Sequence, residues 1–264
     1  MLEIQHVYKT FNPGTINAKT ALSDLNLSLK EGDFVTVIGG NGAGKSTMLN
    51  AVAGVWSVDA GKIILDGEDI TDLPEHKRAV HIGRVFQDPM MGTAPNMQII
   101  ENLALAARRG QRRGLKWGVT KEEHEVYKEK LKMLGLGLET RMTDKVGLLS
   151  GGQRQALTLL MASLRKPKLL LLDEHTAALD PTTAAKVLEL SDSIVQENGL
   201  TAMMITHNMS DALAHGNRII MMNEGKIILD ISGEEKKKLT KRDLLDRFAA
   251  IAGKQEETDS VLLS

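Results

Sequence analysis

Three short strings carry residue types and spacings suited to phosphate chemistry. The first, Gly39-Gly40-Asn41-Gly42-Ala43-Gly44-Lys45-Ser46, satisfies the pattern G-x-x-x-x-G-K-[ST]. Glycines let backbone N–H groups converge on an anion without side-chain obstruction, and a following helix turns its positive end to the same point. Lys45 adds a mobile cation for β- and γ-phosphates, and the Ser46 hydroxyl can ligate Mg²⁺. The second string, Leu169-Leu170-Leu171-Leu172-Asp173-Glu174, is an apolar run closing on two carboxylates. A buried strand with an acid at its C-terminal end is where doubly wound sheets place catalytic groups. Asp173 suits assistance to Mg²⁺ through water, and Glu174 suits a general base or an orienting group for the attacking water. The third is Leu149-Ser150-Gly151-Gly152-Gln153-Arg154-Gln155. Ser150 is a good helix N-cap, and Gly151 and Gly152 leave the first-turn amides bare, which makes a second anion site. One nucleotide already has its cradle at Lys45. Two copies packed head to tail would let Ser150 of one chain cap the γ-phosphate held by Lys45 of the other.

These strings need elements to position them. Leu2, Ile4 and Val7 alternate, as do Leu25, Leu27 and Leu29, so both segments read as strands. Residues 34–38 read as a buried strand, 39–44 as a glycine-rich loop and 45–53 as a helix. Ile63-Ile64-Leu65 before Asp66-Gly67 reads as a hairpin strand and its turn. Helical patterns dominate residues 101–165. Strands return at 168–172, 202–205 and 219–222, separated by helices such as 184–197. That alternation predicts a mostly parallel sheet covered on both faces, with an all-helical insertion.

Composition narrows the function classes. The 264 residues carry 33 Lys+Arg against 34 Asp+Glu, a net charge of −1 that argues against a nucleic-acid coat protein. With no cysteine, a thiol nucleophile, a disulfide framework and a Cys-based zinc site are all excluded. No apolar run approaches the roughly 18 residues of a membrane helix, and the start Met1-Leu2-Glu3-Ile4-Gln5-His6 lacks the basic and apolar regions of a signal peptide. The expectation is an intracellular chain that a partner must hold at any membrane where it works. The basic run from Arg108 to Trp117 has one aromatic among five cations, so it reads as a solvated loop rather than a base-stacking surface. Leu239, Leu244, Leu245 and Phe248, flanked by Lys236-Lys237-Lys238 and Lys241-Arg242, read as a surface helix docking an apolar stripe.

A phosphate loop alone does not choose among kinases, GTPases and motor ATPases. The whole set of motifs resembles the nucleotide-binding subunit of ATP-binding cassette (ABC) transporters over about residues 2–230. The resemblance implies an α/β fold: a P-loop NTPase (RecA-like) core with an antiparallel β subdomain and an inserted α-helical subdomain. On that plan residues 1–90 and 166–232 form the core, 91–165 the helical subdomain and 233–264 a C-terminal tail. It implies ATP as substrate and Mg²⁺ as cofactor, with Phe11, Gly39, Asn41, Gly42, Ala43, Gly44, Lys45, Ser46 and Thr47 at the nucleotide. Ser46, Gln87 and Asp173 fall at the metal, and Glu174, Gln87 and His207 in catalysis. Ser150, Gly151, Gly152 and Gln153 match the signature that acts across the dimer. Asp180, in Ala178-Leu179-Asp180-Pro181, matches the D-loop. One departure stands out: the family usually has proline after the catalytic glutamate, and this chain has His175.

The resemblance also implies partners: a second cassette in a head-to-tail homodimer or an ABC ATPase pair, and an integral membrane permease whose cytoplasmic helix docks near Gln87. Met90 and Met91, soft side chains in Asp88-Pro89-Met90-Met91-Gly92, suit such a docking surface. Residues 86–95, 174–179 and 232–237 further resemble a branch of bacterial import ATPases. Its members go with permeases like those for branched-chain amino acids and with an extracytoplasmic substrate-binding protein. The implied activity is ATP hydrolysis driving amino-acid import from the cytoplasmic face of the cell membrane, with no nucleic acid as partner. The alternatives are an exporter ATPase, or a soluble ABC-type ATPase acting on nucleic acid or ribosomes.

Overall fold

The computed structural model describes residues 1–111 and 118–252. In chain order the first elements are β1 (Leu2–Phe11), β2 (Lys19–Leu29), β3 (Phe34–Ile38), α1 (Lys45–Ala53), β4 (Ala60–Leu65), β5 (Glu68–Asp69) and α2 (Glu75–Arg78). There follow β6 (Ile82–Val85), α3 (Ile99–Ala107), α4 (Lys121–Lys132), α5 (Gly151–Ser163), β7 (Leu169–Asp173) and α6 (Pro181–Asn198). The last are β8 (Thr201–Ile205), α7 (Met209–Ala214), β9 (Arg218–Asn223), β10 (Lys226–Ser232), α8 (Gly233–Lys238) and α9 (Lys241–Ala252). Two compact units divide them: residues 1–78 with the described residues from 200 onward, and residues 79–199.

The first unit contains an antiparallel sheet in the order β2-β1-β4-β5. Leu2 pairs with both Leu29 and Leu65, and the alternation expected from the sequence buries Leu2, Ile4, Leu27, Leu29, Ile63 and Leu65. Strand β2 begins at Lys19, before the alternating residues 25–29. Pairing with β1 recruits that earlier stretch, with register shifts between Ile4 and Thr10 that let the ladder run out to Phe11 opposite Lys19. In the same unit β3 lies between β8 and β9, parallel to both, and every β3 residue is buried. Burial on both faces is why β3 reads as a continuous apolar run and not as an alternation. Strand β10 returns antiparallel on β9. Helix α9 buries Leu244 fully against Ile38, Met209, Ala212 and Met221, with Leu245 and Phe248 packed beside it. That is the docked apolar stripe the sequence predicts.

The second unit contains the parallel pair β6–β7, registered Val85 opposite Leu172. Helices α3, α4 and α5 meet in a cluster that includes Ile99, Leu103, Tyr127, Leu131, Leu138 and Leu157. Fully burying each such side chain contributes about 1.5–3 kcal/mol, and Leu131→Ala would cost about 2–5 kcal/mol. Asn102 is the polar tie within this apolar region. Its side-chain oxygen accepts from the Ala94 N–H at 2.8 Å, and its amide donates to the carbonyls of Ala94 and Gln98 at 3.1 and 2.9 Å. The segment after β6 is thereby fixed to α3. Of the basic run, Arg108 makes a two-pronged pair with Glu123 at 2.9 Å and Arg109 donates to the Ala162 carbonyl, so these two are spent on protein contacts. Arg112 to Trp117, like the tail beyond residue 252, lie outside the described residues. Among the described residues no helix is long and apolar enough to cross a membrane.

Candidate functional site

The phosphate loop leaves the C-terminal end of β3, and its geometry depends on glycine. Gly39 has φ +148°, and a Cβ there would run into the Met222 carbonyl of β9. Gly44 takes the N-cap position of α1 at φ +99° without any side-chain cap, so the helix presents uncapped amides. Lys45 is only 5% exposed and folds back over the loop, donating to the carbonyls of Gly39 at 2.6 Å and Gly40 at 3.0 Å. Asn41, Gly42 and Ser46 are exposed, Thr47 is half-buried and Ala43 is buried. The Ala43 carbonyl accepts from Gly225, in the β9–β10 turn, and the Gly225 carbonyl accepts from Ser23 of β2. Gly225 therefore staples the loop to its neighbours. The sequence reading missed this, although Glu224-Gly225 between two apolar runs is a turn signal.

His207 follows the end of β8, whose Ile205 is registered with Val37 of β3, so it sits at the same sheet edge as the phosphate loop. The Thr206 N–H donates to the Val37 carbonyl at 3.2 Å, and the Asn208 side chain caps α7. Half-buried Phe11, at the end of β1, meets the Trp56 ring edge-on, with centroids 4.9 Å apart, and Lys9 Nζ lies 5.7 Å from its ring.

In the second unit β7 delivers Asp173. Arg84 Nη2, from the neighbouring strand β6, donates to Asp173 Oδ2 at 3.2 Å. Both side chains are nearly enclosed, 13% and 15% exposed. Glu174 follows at φ +46°, a left-handed conformation that costs a non-glycine residue about 1–2 kcal/mol and marks a locally over-determined turn. His175 is buried, and its Nε2 lies 2.9 Å from Ser191 Oγ on α6. The Ser191 Oγ also lies 2.8 Å from the Val187 carbonyl, so the His175 ring is tied through Ser191 to the backbone of α6. Where the family pattern has a ring-locked backbone, this chain has a side-chain tether into α6.

Gln87 is exposed just past β6. The preceding Phe86 carbonyl accepts from Gln155 Nε2 of α5 at 3.1 Å. Met90 and Met91, in the segment held by Asn102, are 39% and 70% exposed.

Ser150 caps α5 in a reciprocal box: Gln153 N–H donates to Ser150 Oγ, and Ser150 N–H donates to Gln153 Oε1, both at 3.2 Å. Asp180 caps α6 without a reciprocal bond, its carboxylate accepting from the Thr183 N–H at 3.0 Å. The side-chain and then the backbone hydrogen bonds of Thr183 hold the Asp180 carboxyl below its ordinary range. The two caps are neighbours. A Cβ on Gly152 would collide with the Thr183 methyl, and one on Gly151 would touch Leu179 at 3.3 Å. Ser150, Gly151, Gly152 and Asp180 are thus brought together, and Gly152 is small because α6 approaches it. Ser46 and Asp173 offer the hard oxygen donors that suit Mg²⁺. Among the described residues no cluster of three or more His, Asp or Glu could hold a metal alone.

Comparison with known proteins supplies the remaining findings. The profile of the ABC transporter family matches residues 22–177. The chain is 44% identical over 248 residues to a tyrosine transport ATP-binding protein of Clostridioides difficile, covering 94% of this chain and 98% of that one. It is 36% identical over 239 residues to the spermidine/putrescine import ATP-binding protein of Haemophilus influenzae, covering 89% of this chain and 59% of that longer one. Among solved structures, a dimeric ATP-binding cassette in a post-hydrolysis state with ADP and Pi matches with a TM-score of 0.75. It shares 32% identity and covers 88% of this chain and 98% of that one.

Proposed function

This chain belongs to the ABC transporter family, and on that premise we propose that it is the ATP-hydrolysing subunit of an amino-acid importer. It works as a head-to-tail dimer at the cytoplasmic face of the membrane, beneath a separate permease fed by a substrate-binding protein. The observation that carries the ATPase reading is the phosphate loop, with its uncapped α1 N-terminus and a buried lysine resting on the loop's own carbonyls. The end-to-end likeness to a tyrosine transport ATP-binding protein supports the substrate class.

The roles follow from the chemistry of each side chain. Lys45 exchanges the carbonyls of Gly39 and Gly40 for phosphate oxygens, a stronger, charge-assisted bond. Residues 39–47 hold the phosphates through backbone amides, and Phe11 stacks on the adenine. Ser46, Gln87 and Asp173 would hold Mg²⁺, which would neutralise charge on the phosphate oxygens. Glu174 takes the proton of the attacking water, while His207 and Gln87 orient the γ-phosphate and that water. Ser150 to Gln153 of the partner chain close over the γ-phosphate, and Asp180 lies beside that closure. Loss of the γ-phosphate removes the bonds that favour the closed state, so hydrolysis reopens the dimer. Met90 and Met91 form the surface on which the permease rides.

Glu174→Gln tests the mechanism, because it keeps the side-chain size and removes the base. The variant should accumulate as an ATP-bound dimer in light scattering. A variant that stays monomeric with ATP and hydrolyses at the normal rate would overturn the reading. Transport of radiolabelled tyrosine by the reconstituted permease complex tests the substrate class.

A further inference from the structure

The contact that the sequence gives no hint of is the one between Arg84 and Asp173. Asp173 is the carboxylate proposed for Mg²⁺, and here it receives a guanidinium from the adjacent strand at 3.2 Å, in a corner where both side chains are almost fully enclosed. The same guanidinium lies 4.6 Å from the centre of the Phe86 ring, the residue before Gln87. Its Nε is buried without a hydrogen-bond partner, and so is Gln155 Oε1, whose amide nitrogen holds the Phe86 carbonyl. A buried donor and a buried acceptor without partners, on either side of one aromatic residue, mark a corner whose polar bonding is incomplete.

We propose that Arg84 is a positioning residue that clasps Asp173 in place of the metal and must surrender it when Mg²⁺ arrives with ATP. The inference rests on the assignment of Asp173 to Mg²⁺ above and adds an internal competitor to it. The physical ground is that one carboxylate facing a fixed cation in a low-dielectric corner cannot serve a second cation at full strength. Arg84 then has two effects. It keeps Asp173 oriented before loading, and it raises the Mg²⁺ concentration that loading requires. Placement beside Phe86 and the Gln155 bond ties any release of Arg84 to the segment that carries Gln87.

The test measures the Mg²⁺ midpoint for ATP-dependent dimer formation by light scattering, in a Glu174→Gln background that does not turn over. Adding Arg84→Met should lower the midpoint about fivefold, the scale of one modest ion pair. Arg84→Gln, which can still donate a hydrogen bond but carries no charge, should move it the same way, and Arg84→Lys less. Arg84→Gln also covers the case in which Arg84→Met does not fold. ATP affinity measured in EDTA should stay at the parent value in the folded variants. A purely structural role predicts lower thermal stability with the midpoint unchanged or raised, and that outcome would overturn the proposal. Should the Glu174→Gln parent itself fail to form a Mg²⁺- and ATP-dependent dimer, the functional reading fails and takes this inference with it. A normal parent with unmoved variants defeats the Arg84 inference alone.

Discussion

Helices α1 and α5 both begin where an anion could bind, yet they are finished differently. The N-cap of α1 is Gly44, which offers no side chain, so its first amides stay uncapped and its lysine waits on nearby carbonyls. Helix α5 has already closed its own end through the Ser150–Gln153 box, and α6 packs against its glycines. An N-terminus that no side chain caps gains most by binding a ligand, because each satisfied amide replaces a bond to water. A self-capped one gains less and can stand stably in a single chain. Capping does not spend Ser150 entirely. The oxygen accepts from Gln153 N–H, and the hydroxyl proton remains to be donated. On the proposed reading, the first terminus holds a nucleotide alone, and the second adds one contact when a partner brings the phosphate.

Substitutions can break that contrast. Lys45→Met should weaken ATP binding about 100-fold, since charge-assisted bonds to phosphate are lost, while Ser150→Ala should leave monomer binding within about twofold. A fluorescent nucleotide titration at low protein concentration reads both, and equal losses would erase the distinction. Next in size is Gly152→Ala, which overpacks the α5–α6 contact and should destabilise the chain by about 1–3 kcal/mol in urea unfolding. Adding Thr183→Ala should restore most of that stability. Without rescue, the glycine is there for a reason other than packing. Ser150→Ala should cost about 1 kcal/mol through the lost cap, with little change in monomer nucleotide affinity. The smallest effect on the cassette itself belongs to Met91→Glu, within about 0.5 kcal/mol in stability because the side chain is 70% exposed. Its basal ATPase should persist while transport in the assembled complex fails, and intact transport would remove Met91 from the docking surface.

Legibility followed locality. The run from Phe34 to Ala53 folds as its residues predict, because a buried strand, a glycine loop and a helix are each specified by neighbours within a few positions. Ser150 as an N-cap was readable for the same reason, and the S-x-x-Q spacing to Gln153 also carried the capping box. Strand β10 was not read from Ile227-Ile228-Leu229, a short apolar run that becomes a strand through its pairing with β9. Nor was the early part of β2, which owes its conformation to β1. Asn102, Gln155 and Arg84 look like ordinary polar residues in apolar elements. Only their partners, 8, 69 and 89 positions away, give them roles.

The sequence by itself determined the phosphate loop, the acid at the end of β7 and the cap of α5, because each depends on residue type and spacing within one turn or one strand. The tertiary structure alone decided that Arg84 holds Asp173, that His175 is tied to Ser191 and that Gly152 yields room to Thr183. Those are encounters between separate elements. Their distances are set by how strands register and helices pack, which no local pattern encodes.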